Sequence, residues 1–147
     1  MQNEIKTIES LIHMMDSCEF HSYQWYGYLN HATQLNNSMA IRQSSHLFMM
    51  IDDERFPATF GNFFIVRNRM QLERFLNGFG FPQFISFDHD LGKYETITNL
   101  LNMLTDKLIE MNKVPDGFDY YIHSQNPIGR DKLESFMHDL IAGKYFN

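Results

Sequence analysis

Phe84-Ile85-Ser86-Phe87-Asp88-His89-Asp90-Leu91-Gly92 passes in a single step from an apolar run to two carboxylates flanking a histidine. A short, nearly continuous apolar run of this kind has the form of a strand buried on both faces. The same grammar recurs on either side. Upstream, Leu47-Phe48-Met49-Met50-Ile51 runs into Asp52-Asp53-Glu54-Arg55, and Phe63-Phe64-Ile65-Val66 runs into Arg67-Asn68-Arg69. Downstream, Tyr120-Tyr121-Ile122 runs into His123-Ser124-Gln125-Asn126-Pro127. An amphipathic helical pattern follows each run from the second on: Leu72, Phe75, Leu76 and Phe79, with a stop signal at Gly78 and Gly80; Ile97, Leu100, Leu101, Leu104 and Leu108; and Leu133, Phe136, Met137, Leu140 and Ile141. Buried strands alternating with helices predict an α/β domain, a parallel sheet with helices on both faces in three layers. Right-handed crossovers then bring every strand's carboxyl end to one edge, where open α/β folds bind ligands.

The first 45 residues read differently. Ile5, Ile8, Ile12 and Met15 predict a helix over 4–16, residues 18–31 are dense in aromatics and histidine with no clean period, and 36–45 read as a polar linker or turn. The chain therefore divides into a helical, aromatic-rich N-terminal extension, 1–45, docked on a main α/β domain, 46–147. His21, Trp25, Tyr28 and His31 are expected to pack the extension, and the methionines to fill the core.

Composition excludes several functions. The 147 residues are 44% hydrophobic and 15% aromatic, enough for a packed core. A lone cysteine, Cys18, excludes an internal disulfide framework and a cysteine-rich zinc site. A net charge of −6 argues against a general DNA or RNA coat, but not against one small phosphorylated ligand. No apolar run reaches membrane-spanning length, and the start Met1-Gln2-Asn3-Glu4 lacks a signal peptide's basic region. The expectation is a cytoplasmic protein without a membrane partner.

The chemistry collects at the strand ends. Asp52, Asp53 and Glu54, then Asp88 and Asp90, with His89 and His123, would meet in one crevice. Carboxylates so gathered raise one another's pKa unless a cation is present. Asp52, Asp53 and Asp88 suit a hard divalent metal, Mg²⁺ or Mn²⁺, which takes carboxylate, water and phosphate oxygens. His89 and His123 suit acid–base work near neutral pH. Arg55 offers a bidentate phosphate clamp, and Asn126 and Arg130 lead into a helix start that can hold an anion. Each cluster alone also fits ordinary turn or capping chemistry; their repetition at equivalent strand ends favours a site.

Three of these motifs resemble one family. Ile51-Asp52-Asp53-Glu54-Arg55-Phe56-Pro57, Ser86 through Gly92, and His123-Ser124-Gln125-Asn126-Pro127-Ile128-Gly129 occur in order and resemble the cyclic-phosphate-processing, receiver-like domain family over about residues 46–142. The resemblance implies a flavodoxin-like, receiver-like sheet and activity on a cyclic phosphate of a nucleotide or RNA end. Asp52, Asp53, Asp88 and Ser124 match the acidic pair, the phosphoacceptor and the hydroxyl position of receivers. The fifth strand and its lysine have no counterpart, and His89 and His123 have no place in a phosphorelay. The expected protein is a phosphoesterase with Asp52, Asp53 and Asp88 on the metal, or a metal-free variant of it. His89, His123 and Asp88 would serve catalysis, and Arg55, Ser124, Asn126 and Arg130 would hold the phosphate. The alternative is a non-catalytic module that binds a nucleotide signal or a protein partner.

Overall fold

The computed structural model describes residues 2–43, 47–88, 97–123 and 127–143. In chain order the elements are α1 (Gln2–Asp16), α2 (Tyr23–Arg42), β1 (Phe48–Ile51), β2 (Phe64–Val66), α3 (Arg69–Phe79), β3 (Phe84–Asp88), α4 (Ile97–Met111), β4 (Asp119–His123) and α5 (Pro127–Ile141). They fall into two compact units, one of residues 1–46 with 54–65 and one of 47–53 with 66–147. No helix among the described residues is long and apolar enough to cross a membrane.

The first unit is a helical hairpin with a long loop laid on it. Ile8 and Leu11 of α1 pack with Ala32 and Met39 of α2, and Phe56 and Phe60 of the loop close over them. Met15, Trp25 and Leu29 form a second buried cluster. Ser22 caps α2, its side chain accepting from the Trp25 amide at 3.2 Å. Helix α2 runs on to Arg42, so the polar stretch from Asn36 is not the linker that its composition predicts. Its asparagines have distant partners. The Asn36 amide donates to the Phe63 carbonyl at 2.9 Å and accepts from the Gly61 amide at 2.7 Å. Asn37 donates to the Ile65 carbonyl at 2.9 Å and accepts from the Ile65 amide at 2.8 Å. That pair of bonds imitates a neighbouring strand and occupies the backbone of β2, which lies at a sheet edge.

The second unit carries the receiver-like α/β fold. The sheet has order β2-β1-β3-β4, and β3 pairs in parallel with both β1 and β4. The chain steps outward from β1 to β2 and crosses back to β3, which puts the topological switch point between β1 and β3. Met49 and Ile51 of β1, Ile85 and Phe87 of β3 and Ile122 of β4 share one face and are buried. Leu72, Phe75 and Leu76 of α3, Leu100, Leu104 and Leu108 of α4, and Leu133, Met137 and Leu140 of α5 are buried as well. Asn68 caps α3 by accepting from the Gln71 amide at 3.0 Å, while Gln71 Oε1 accepts from the Arg67 amide at 2.6 Å. Gly80, at φ 82°, ends α3 by donating to the Leu76 carbonyl. Gly78, also expected as a stop, lies inside the helix.

Candidate functional site

The site is built by register. Ile51 of β1 stands opposite Phe87 of β3, so Asp52 and Asp88 are the next residues on adjacent strands. Asp88 in turn stands opposite His123 of β4. Asp88 and His123 are thus paired across adjacent strands, and Asp52, one residue past the last paired position of β1, extends the row toward β1. The row lies at the carboxyl ends of the strands and spans the switch point.

The members of the row have different surroundings. Asp52 is 1% exposed, and its amide continues the ladder by donating to the Val66 carbonyl at 3.1 Å. Asp53 is half-buried and His123 is exposed. The His123 ring lies 6.3 Å from that of Tyr121, two residues back on the same face of β4. Asp88 is placed by its backbone; its side chain, together with His89, Asp90, Ser124 and Asn126, lies outside the described residues. Arg130 is exposed in the first turn of α5, which opens on Pro127.

Two sequence neighbours of Asp53 belong elsewhere. Glu54 and Arg55 are part of the first unit. Glu54 Oε1 meets His21 Nε2 at 2.5 Å, and Arg55 is exposed. One residue absent from the sequence-derived set joins Asp52 instead. Arg67, just past the end of β2, is 8% exposed, and its guanidinium donates from Nη1 to the Asp52 carbonyl at 3.3 Å. A buried guanidinium beside a buried acid is costly to assemble without mutual compensation, so its presence here marks a polar centre at the end of β1 and β2. The only sequence signal was its position directly after a strand.

Among the described residues, no three histidine, cysteine or carboxylate side chains converge as a metal centre. The acidic residues of the row offer oxygen donors, the type that Mg²⁺ and Mn²⁺ prefer and that zinc sites rich in sulfur do not provide.

A parallel sheet of order 2-1-3-4 with acidic residues at the ends of its first and third strands defines a receiver-like α/β domain. Residues 47–139, well over half of the chain, match the family model described as Cyclic-phosphate processing Receiver domain, and the chain belongs to that family. No curated protein and no solved structure matches it.

Proposed function

We propose that this chain is a phosphoesterase that opens a cyclic phosphate on a nucleotide or an RNA end. The observation that supports it most is the row of Asp52, Asp88 and His123 at the switch point. Ring opening needs a water oxygen to attack phosphorus as one ring P–O bond breaks. A base takes a proton from the water, an acid gives one to the departing sugar oxygen, and a phosphomonoester results. His123, exposed at the edge where substrate arrives, is suited to one of these transfers. His89, expected beside it from the sequence, takes the other in this reading. Arg67 keeps the Asp52 segment in place, while Arg130, Ser124 and Asn126 supply phosphate contacts.

Asp52, Asp53 and Asp88 would hold a divalent cation. Such an ion, when bound, supplies positive charge to the phosphoryl oxygens and lowers the barrier to attack on an anion.

The test is a turnover screen against 2′,3′-cyclic and 3′,5′-cyclic nucleotides with Mg²⁺, Mn²⁺ or EDTA, read by mass spectrometry. His123→Ala should lower the rate by about 10²–10⁴, and Asp52→Ala should abolish the metal-dependent part. Full activity in both variants would refute the assignment. One observation favours a second reading, a binding module: Phe20, Tyr23 and Tyr26 of the first unit are exposed at 64%, 93% and 43%. Ligand binding without turnover would support that reading.

A further inference from the structure

The face of the sheet that carries the site row is open along β4. Asp119, Tyr121 and His123 alternate onto it and are all exposed, whereas Ile122 on the opposite face is buried. Tyr121 is 57% exposed, an unusual state for a large ring on a strand. Its register partner on β3 is Ser86, and Met50 of β1 completes that row. Ser86 is the smallest side chain of the three, and the Tyr121 ring has the His123 ring 6.3 Å away on the same strand. The next row along the strands toward their carboxyl ends is Asp52, Asp88 and His123.

We propose that Tyr121 is the stacking platform for the base of a nucleoside cyclic phosphate whose phosphate lies at the Asp88–His123 row. The inference rests on the phosphoesterase reading and names the substrate class of the same site. A group two residues along a strand from the phosphate is within one nucleoside's reach, and the 6.3 Å between the Tyr121 and His123 rings sets that span. An aromatic face stacks any base, so the platform selects a nucleoside without choosing among bases. Charge sets the length of the ligand. Asp119, the next residue along the same face, is exposed, and the chain carries a net charge of −6. A polynucleotide continuing past Tyr121 would carry its phosphates onto that carboxylate. The ligand is therefore a single nucleoside unit.

The experiment uses the full chain and adenosine 2′,3′-cyclic phosphate, with the base-free methyl riboside 2,3-cyclic phosphate as control. Binding is measured by titration and turnover by product formation. Tyr121→Ala should weaken binding of the adenosine compound by at least about fivefold, raise KM and spare kcat. Tyr121→Phe should behave as the parent, and the base-free compound should not respond to either change. An RNA hexamer with the same terminal group should bind no more tightly than the mononucleotide. Binding that needs Tyr121 without turnover upholds this inference and removes the phosphoesterase reading. Turnover with an unchanged KM in Tyr121→Ala, or an equal loss for the base-free compound, overturns the inference and leaves the phosphoesterase. Neither binding nor turnover overturns both, and tighter RNA binding overturns the single-nucleoside limit.

Discussion

Replacing Asn36 by leucine should destabilise the first unit by roughly 2–4 kcal/mol, although the change is apolar, similar in size and in the middle of a helix. Asn36 is fully buried and makes two bonds to the loop, to the Phe63 carbonyl at 2.9 Å and from the Gly61 amide at 2.7 Å. Leucine removes both. Gly61 is buried, so its N–H loses its partner with no water to replace it; Phe63 is half-buried, and its carbonyl recovers part of the loss. Each orphaned group costs about 1–3 kcal/mol, the second only in part, and the added apolar burial returns a fraction. Asn37→Leu removes two bonds of similar length to the backbone of Ile65, which is fully buried, and the bond that Asn37 accepts from Asn36 at 3.1 Å, so its cost should be of the same order, roughly 2–4 kcal/mol. Trp25 is the only tryptophan and is buried in this unit, so its fluorescence during urea unfolding reports on the right part of the chain. A midpoint equal to that of the parent for either variant would show that burial of the orphaned partners does not govern these bonds.

Three further changes test other parts of the structure. Gly61→Ala should cost about 1–3 kcal/mol, because Gly61 sits at φ 85° and an added Cβ would lie 3.0 Å from Met39 Cβ; the same fluorescence measurement checks it. Arg67→Met should lower stability by about 1.5–3 kcal/mol, the range for a hydrogen bond from a charged group, and should reduce any turnover even though Arg67 needs no contact with substrate; calorimetry and the cyclic-nucleotide assay read the two effects. Burial, followed by the hydrogen bond to Glu134, raises the Tyr120 phenol above its usual 10.0. The unfolded chain therefore releases this proton first, so its contribution to stability is complete below pH 10 and is lost as pH rises through the folded value. Tyr120→Phe should flatten the alkaline decline in urea midpoints, and an unchanged slope would count against the assignment.

The strands were legible because the segments of a parallel sheet are compact apolar runs with abrupt polar ends, and the helices between them keep a strict apolar spacing. What escaped depended on partners distant in sequence. Asn36 and Asn37 look like linker residues until the loop that ends in β2 is folded onto α2. The start of α2 was hidden because its capping residue, Ser22, stands among aromatics that mask the helical period. Glu54 follows Asp53 directly and so joined the acidic cluster by adjacency, yet it reaches His21. Arg67 was missed for the opposite reason: only the placement of β2 beside β1 brings its guanidinium to the Asp52 carbonyl. Strand periodicity places Asp52, Asp88 and His123 at strand ends, but their alignment in one row is a property of register, which sequence fixes only through pairing.

That row also bears on the choice between storing a phosphate and releasing one. A signalling receiver needs a phosphoaspartate that survives long enough to be read, which favours a charge-neutralising lysine and no proton carrier beside the acceptor. In this chain the residue in register with Asp88 is a histidine, exposed to the solvent that would supply a nucleophile. Imidazole changes protonation near neutral pH and lowers barriers by moving protons. In the phosphoesterase reading proposed above, it would shorten the life of a phosphoryl group held at the row instead of protecting it. Acetyl phosphate separates the storing of a phosphoryl group from its release. Stable labelling that is lost in Asp88→Asn would mean that His123 does not reach the phosphoryl group, and the phosphoesterase reading would fall with it. Labelling that appears only in His123→Ala would show the histidine turning over what Asp88 can accept.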